Sequence, residues 1–249
     1  MRLNILISND DGINAEGIRV LAKTLAPFHN IIVVAPDSEK SASGHGITIN
    51  KTLVLKPEDF DNITAYSLSG TPADCVKFGI TYFSDIKFDL CIGGINRGSN
   101  TGTDVLYSGT VSCAAEAVAL GIKGIAVSLT IRKNCDYAPA ANFILKNLEA
   151  LYKLELDNSL LNINFPGGDL KGAVFTKLGL MIYNDRYVLQ KGKENQTFLL
   201  VGEEIEHDLN DADCDVEWIK KGFITLTPMV CSYTDFEKLK RFNSKGLKI

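Results

Sequence analysis

The stretch of residues 3–12 constrains the fold more than any other part of the chain. Its first half is an apolar run rich in Ile and Leu, typical of a strand buried in a parallel sheet. Asp10, Asp11 and Gly12 follow at once, at the strand end where open α/β sheets bind ligands. Adjacent carboxylates repel each other, so this pattern fits a bound divalent cation, but it also fits a solvated Asn-Asp-Asp-Gly turn.

Strand and helix patterns alternate from there to about residue 170. Short apolar runs predict strands at 31–35, 89–93, 125–129 and 161–165, and alternating residues predict a β excursion over 47–55 and 63–68. Helical spacing predicts helices at 17–25, 111–120 and 136–152, and another that begins with Thr71 as N-cap and Pro72 at the first helical position. The alternation predicts an α/β fold with a doubly wound, mainly parallel sheet.

The alternation ceases near Ala173, which divides the chain into a predicted catalytic core, 1–170, and a C-terminal part, 171–249. Short extended pieces at 174–178, 197–201 and 223–227 predict a β-hairpin-containing extension, followed by a final helix at 234–242. The acidic stretch 203–217 matches no calcium-loop spacing and is expected to be a solvated loop. Because a hairpin is rarely stable alone, we expect this part to pack on another subunit of a homo-oligomer.

Composition narrows the class of protein and of partner. The net charge is −4 without any basic run, which argues against nucleic acid or an anionic membrane surface as a partner. The chain has neither a signal-peptide pattern at its start nor an apolar stretch of about 20 residues that could span a bilayer. Its 6 cysteines are scattered singly, as in proteins of reducing compartments, so a cytoplasmic location is expected.

Three polar loops leave strand ends and are expected to meet at one edge of the sheet: 9–12, 38–46 and 94–110. Between them they carry hard oxygen donors on Asp10, Asp11, Ser41 and Asn96. Such donors suit one Mg²⁺ or Mn²⁺ ion per subunit, whereas the chain offers no paired His or Cys for a zinc site.

The start of the helix after residue 107 has the composition of a phosphate cradle. Ser108, Gly109 and Thr110 supply hydroxyls, free N–H groups and the positive end of a helix dipole, although no Walker lysine follows. Asn9 and Gly44 are predicted as further phosphate contacts, with Asn9 equally explained as a turn residue. His45 is a candidate for contacting the substrate or moving a proton, or for merely stabilising its loop. A metal beside a phosphate cradle describes a phosphomonoesterase.

Five ordered blocks resemble the stationary-phase survival protein SurE family. They are 9–13, 34–37 with Ser41, 69–76, 94–98 and 107–111, and the segments 161–166 and 222–228 extend the resemblance towards the end of the chain. Gly93 departs from the pattern, since a serine is common there.

The resemblance implies a Rossmann-like core and a metal-dependent nucleotidase that acts on nucleoside 5′- and 3′-monophosphates, with short-chain polyphosphate as a secondary substrate. It implies that Asp10, Asp11, Ser41 and Asn96 are the metal ligands, of which Asp10, Asp11 and Asn96 are also catalytic. It further implies a C-terminal segment exchanged between the subunits of a dimer or tetramer.

Three other interpretations remain open from the sequence. One is a metal-dependent glycosyl or phosphoryl transferase, which would need a second nucleotide-sized subsite that no motif indicates. Asp10 could be a phosphorylated nucleophile, although the general acid two positions later that such enzymes use is missing. The chain could also be a non-catalytic nucleotide- or metal-binding regulatory module. The complete set of oxygen donors beside an anion cradle argues against this, because a sensor needs no metal poised at a phosphate.

Overall fold

The structure, a computed structural model, describes residues 1–131, 133–191, 196–202, 204–207 and 211–246. The strands are β1 (Asn4–Ser8), β2 (Asn30–Pro36), β3 (Leu55–Pro57), β4 (Thr64–Leu68), β5 (Leu90–Arg97), β6 (Lys123–Leu129), β7 (Ser159–Phe165), β8 (Ala173–Phe175), β9 (Met181–Tyr183), β10 (Arg186–Lys191), β11 (Thr197–Val201), β12 (Glu204–His207) and β13 (Ile224–Val230). The helices are α1 (Glu16–Leu25), α2 (Pro72–Tyr82), α3 (Gly109–Ala119), α4 (Ala138–Lys153), α5 (Asp215–Lys220) and α6 (Phe236–Lys245), with a 3₁₀ turn at Gly102–Leu106.

A nine-stranded sheet in the order β3-β4-β2-β1-β5-β6-β7-β13-β8 forms the centre of the molecule. The strands from β4 to β7 along this order run parallel, while β3 and β13 lie antiparallel to their neighbours β4 and β7. The predicted doubly wound, mainly parallel α/β sheet is therefore confirmed. None of the helices in the described ranges is both long and apolar enough to cross a membrane.

Helices cover both faces of the sheet, which explains why its central strands are mainly apolar on both faces. In β1, Ile5 and Ile7 join the core under α1 and α4, whereas Leu6 points to the core under α2 and α3. Helix α2 begins as predicted, with a capping box in which Thr71 accepts from the Asp74 N–H and Asp74 accepts from the Thr71 N–H. The packing on both faces leaves the strand ends as the place where polar side chains can gather.

Three predicted boundaries were wrong. Strand β5 does not end at Gly93 but continues to Arg97 through an irregularity in its pairing with β6, so Asn96 lies on a strand rather than in a loop. The β excursion predicted over 47–55 is reduced to the three residues of β3. Helix α3 begins at Gly109, immediately after its N-cap Ser108, and thus includes residues that the sequence placed in the loop before it.

The C-terminal part divides its strands between the central sheet and smaller pairs. Strands β10 and β11 form an antiparallel pair, although only β11 matches a predicted extended piece, and β9 pairs with β12. Strand β13 instead enters the main sheet between β7 and β8, so residues beyond 171 complete the central sheet as well as extending from it. Of the acidic stretch 203–217, residues 203 and 208–210 lie outside the described ranges, and its end is not a solvated loop because Asp215 begins α5 and is buried.

Candidate functional site

A polar cavity of ≈ 410 Å³ opens at the carboxyl edge of the sheet. It is lined by Asp10, Asp11, Glu39, Ser41, Ala42, Asn96, Arg97, Gly98, Ser99, Asn100, Asp104, Tyr107 and Ser108. All four predicted oxygen donors, which come from three separate segments of the chain, therefore face the same space. The geometry brings together what sequence topology predicted to converge.

Asp10 is the most enclosed of these donors, with 7% of its surface exposed. Its Oδ1 accepts a hydrogen bond from Thr110 Oγ1 at 2.5 Å, across 100 residues of sequence. Burial raises the pKa of the Asp10 carboxyl and the charge of Asp11 raises it further, while the Thr110 bond opposes both. A buried carboxylate in this position is stabilised when a cation lies against it.

Asp11 and Asn96 are oriented by backbone groups at the end of β5 and just beyond it. Asp11 Oδ2 accepts from the Arg97 N–H at 3.1 Å, and the Asn96 amide nitrogen donates to the Gly98 carbonyl at 3.0 Å. The second bond leaves the amide oxygen of Asn96 as the atom available to a cation. Burial raises the pKa of Asp11, against the hydrogen bond and charge of Arg97.

Two glycines allow these segments to approach so closely. Gly12 has φ +95, and a Cβ there would come within 3.2 Å of the Ser38 carbonyl carbon. At Gly109, a Cβ would lie 2.6 Å from the Asp10 Cβ, closer than side-chain carbons pack. The start of α3 can therefore meet Asp10 only because residue 109 has no side chain.

Ser41 lies on the exposed rim of the cavity. Its hydroxyl donates to Glu39 Oε1 at 2.6 Å, which leaves the lone pairs of the Ser41 oxygen for a cation. The loop that carries both residues is fixed to the strand end below it, because the Lys40 N–H donates to the Asp10 carbonyl at 2.7 Å. Glu39 also faces the cavity, although sequence reasoning treated it as an ordinary residue of a polar loop.

The residues predicted to bind phosphate differ in how far their polar groups are already hydrogen-bonded within the protein. Ser108 lines the cavity and caps α3 by accepting from the Val111 N–H at 3.0 Å. The Asn9 amide is used within its own turn, where it bonds both polar backbone atoms of Gly12. The Gly44 N–H donates to the Tyr107 carbonyl at 3.1 Å. Their contacts with phosphate, like those of Gly109 and Thr110, stay predictions.

His45 lies near the end of the loop of residues 38–46, and its side chain contacts a helix. Its Nε2 is 2.8 Å from Glu116 Oε2, on the helix that begins at the predicted phosphate cradle. This contact matches the loop-stabilising interpretation, while contact with a substrate stays a prediction.

The wall of the cavity depends on buried residues that sequence reasoning missed. The side chains of Asn162 and Asn164 donate to the Asn100 carbonyl at 2.8 and 2.9 Å. Asp215 accepts from the N–H groups of Gly102 and Gly179 at 2.9 and 2.8 Å. No local sequence pattern could have found these contacts, because the partners are 36 to 113 residues apart.

The chain is similar in sequence and in fold to proteins of one family. The model of the family described as Survival protein SurE matches residues 5–185. A protein of Pseudothermotoga lettingae named 5′-nucleotidase SurE is 41% identical over 229 residues, which cover 91% of this chain and 88% of that protein. A relative of the same name from Alkaliphilus metalliredigens is 40% identical over 253 residues and covers 99% of this chain and 100% of its own length.

A solved structure agrees with this assignment. The crystal structure of the SurE protein from Aquifex aeolicus matches with a TM-score of 0.82 at 30% identity, covering 97% of this chain and 99% of that one. The family model, the relatives and the fold thus all indicate one family, and the chain belongs to the SurE family.

Proposed function

We propose that this chain is a divalent-metal-dependent phosphomonoesterase that hydrolyses nucleoside 5′-monophosphates to nucleoside and phosphate. The observation that carries the proposal is the convergence of Asp10, Asp11, Ser41 and Asn96 on one cavity at the carboxyl edge of a parallel sheet. The 5′-nucleotidase names of relatives at about 41% identity support the same substrate class.

The donor set fits a small, hard cation. Two carboxylates with a hydroxyl and an amide oxygen suit Mg²⁺ or Mn²⁺, which keep several waters and share the phosphate oxygens of a substrate. Within the described ranges no three His, Cys, Asp or Glu side chains cluster as a metal site, so the neutral oxygens of Ser41 and Asn96 are needed. When bound, one cation per subunit would supply Lewis acidity to a phosphoryl oxygen and to the attacking water.

Groups of the protein itself would orient the metal-binding carboxylates and the phosphate of the substrate for this reaction. Thr110 fixes the Asp10 carboxylate, and the Arg97 N–H fixes that of Asp11, so both acids are preorganised. The amino end of α3 points its positive dipole at the Asp10 side of the cavity, and we assign the phosphate to this position, with Ser108, Gly109 and Thr110 as its contacts. Asn9, Gly44 and His45 complete the proposed set of substrate contacts.

The same site supports a wider substrate range. A cavity that holds a phosphate head has no reason to exclude 3′-monophosphates or short polyphosphate, so we include both as further substrates. Asp10, Asp11 and Asn96 are the residues to which we assign catalysis.

We further propose that the protein acts as a cytoplasmic homo-oligomer, a dimer or a tetramer. Support comes from the strand pair β10–β11, in which Tyr187, Phe198 and Leu199 expose 73%, 55% and 52% of their surface. Tyr187 and Phe198 lie on one face of the pair and Leu199 lies on the other, so both faces present large apolar side chains. Such exposure is typical of a surface that another chain covers.

Chelation and a single substitution test the proposal. With Mg²⁺ or Mn²⁺ we expect release of phosphate from a nucleoside 5′-monophosphate, abolished by EDTA and restored by added metal. Asp10→Asn should lower kcat/KM by at least about 100-fold, because losing a metal ligand should exceed the effect of losing a ligand's supporting contact. Since burial raises the pKa of Asp10, the neutral amide should fold as well as the metal-free wild type.

Asp61→Asn is the matched control, because Asp61 is an exposed carboxylate paired with Lys23 away from the cavity. It should leave turnover unchanged. Hydrolysis that persists in EDTA would remove the metal from the reaction, and a phosphorylated aspartate isolated from the wild type would favour a covalent route instead. A protein that binds nucleotide without hydrolysing it would support the regulatory module.

A further inference from the structure

Glu116 is a buried carboxylate to which the proposed chemistry gives no role. It lies in α3, and only 5% of its surface is exposed. Its two oxygens have different charged or polar partners: Oε1 is 2.6 Å from Lys77 Nζ, and Oε2 is 2.8 Å from His45 Nε2. A buried carboxylate without a partner costs several kcal/mol. The burial of Glu116 therefore depends on the partners of its two oxygens.

The two partners belong to different parts of the molecule. Lys77 is in α2, which packs beside α3, so this pair joins two helices that already contact each other. His45 instead belongs to the loop between β2 and β3, in which Ser41 and Gly44 precede it. Glu116 therefore connects a rigid helix to the loop that supplies one of the proposed metal ligands.

That loop has little of its own to hold it in place. Residues 37–47 have no helix or strand, and their side chains are exposed or half-buried. Ala42 has a φ of 56, a left-handed conformation that costs a non-glycine residue about 1–2 kcal/mol. Contacts with other segments of the chain must therefore fix the conformation of the loop. Backbone bonds from Lys40 to Asp10 and from Gly44 to Tyr107 do so, as does the bond from Thr71 Oγ1 to the Gly46 carbonyl. The side chain of His45 adds the bond to Glu116.

We propose that Glu116 is a positioning residue that holds the loop of residues 38–46 over the cavity through His45. The inference rests on the proposed function, because it matters for the reaction only if Ser41 binds the metal. Lys77 provides the second charge that allows the carboxylate to remain buried beside His45. Holding Ser41 in place before metal arrives removes part of the ordering cost that would otherwise weaken metal binding.

Mn²⁺ binding measured by calorimetry without substrate tests this role directly, because any contact of His45 with the substrate is then irrelevant. Glu116→Ala and His45→Ala should each weaken Mn²⁺ binding by roughly 10- to 100-fold, the range seen when supporting contacts of metal ligands are lost. The double variant should bind no more weakly than the weaker single variant, since both changes break the same contact. Glu116→Gln, which keeps a hydrogen-bonding group, should recover part of the affinity.

Hydrogen exchange of the backbone amides gives a second measurement that does not depend on metal. Amides of residues 38–46 should exchange faster in Glu116→Ala and His45→Ala, while those of the central strands stay as in the wild type. Glu149→Ala is the matched control, because Glu149 is a glutamate on a helix, paired with Lys153 on the exposed face of α4. It should change neither measurement.

The results separate this inference from the proposed function. A wild type without metal-dependent hydrolysis or Mn²⁺ binding would refute the function, while the exchange of residues 38–46 would still decide whether Glu116 holds the loop. Wild-type exchange and Mn²⁺ affinity in both single variants, or fully additive losses in the double variant, would overturn the inference. If Glu116→Ala does not fold, the exposed His45→Ala decides the outcome.

Discussion

The parallel core of the molecule and its C-terminal arm, which we define as strands β9 to β12, use apolar residues in opposite ways. In the core, Ile5, Leu6 and Ile7 of β1 have no exposed surface, because helices cover both faces of the sheet. In the arm, Tyr187 and Leu200 leave 73% and 50% of their surface exposed. Apolar residues thus build a finished interior in one region, and in the other a surface that the described part of the chain leaves uncovered.

The two regions nevertheless meet at the candidate site. Thr103 Oγ1 donates to the Met181 carbonyl at 2.8 Å, and the Tyr183 hydroxyl donates to Asp104 Oδ1 at 2.6 Å. Asp104 is one of the residues that line the cavity. The core thus carries the proposed metal donors, while the arm contacts Asp104 in the lining of the same cavity.

The largest effect should come from a charge placed in the arm. Leu199 pairs with Val188 across β10 and β11 and is 52% exposed. If a second subunit covers this surface, Leu199→Glu buries an unpaired carboxylate in the contact, which costs several kcal/mol. We expect the assembly to dissociate, so that light scattering after size exclusion gives the mass of a single chain.

Phe28→Glu is the matched substitution on the core, where Phe28 is 57% exposed just before β2. It should leave the mass of the assembly unaltered. A wild type that is monomeric at every concentration tested, or a Leu199→Glu variant with the wild-type mass, would contradict the claim that the arm needs a partner.

The second prediction concerns the core side of the comparison. In Gly109→Ala the new Cβ would lie 2.6 Å from the Asp10 Cβ and 2.8 Å from Pro72 Cγ, so α3 and the strand end must separate. Overpacking of this kind costs about 1–3 kcal/mol of stability. Displacing Asp10 by about 1 Å should lower kcat/KM by roughly 100-fold, and steady-state kinetics with thermal unfolding measure both effects.

Gly121→Ala, just past the other end of the same helix, separates the two consequences. Gly121 has φ +79, but no atom of the described residues lies within 4 Å of the Cβ that alanine would add. The substitution should cost about 1 kcal/mol through backbone strain and leave kcat/KM at the wild-type value. Equal losses of activity in the two variants would show that α3 acts on the site only through overall stability.

The sequence was most informative where function and folding use local patterns. The run of residues 3–8 predicted β1, and the Thr71-Pro72 pair predicted the start of α2, because strand burial and helix capping depend on neighbours in the chain. The convergence of Asp10, Ser41 and Asn96 was predictable for a related reason: parallel strands bring all their carboxyl ends to one edge.

Contacts between distant residues were not predictable in this way. The Gly93-Gly94 pair looked like the end of a strand, but β5 continues beyond it because β6 provides a partner up to Arg97. Glu116 looked like one residue of a small-residue helix, although its partners are 39 and 71 positions away. Asp215 looked solvated because a run of acidic residues usually is, and only the folded chain brings two glycine N–H groups to it.

The smallest of the three effects is expected at Asp215, where core and arm are joined. Its carboxylate accepts from the N–H groups of Gly102, before the cavity wall, and of Gly179, before the arm. Burial raises the pKa of Asp215, and these N–H groups oppose that shift. In Asp215→Asn one acceptor becomes a donor, so a buried N–H loses its partner, at a cost of about 1–3 kcal/mol in the free energy of unfolding.

The loss of stability should appear locally, where the core and the arm are joined. Amides near Gly102 and Gly179 should exchange faster in Asp215→Asn, while those of β1 and β2 keep their protection, because the core strands do not depend on this contact. Asp235→Asn makes the same change at the exposed N-cap of α6, where asparagine accepts from the Lys238 N–H equally well, and should alter neither stability nor exchange. Uniformly faster exchange across β1 and β2 in Asp215→Asn would mean that core and arm unfold as one unit, and that the division between them is one of surface composition alone.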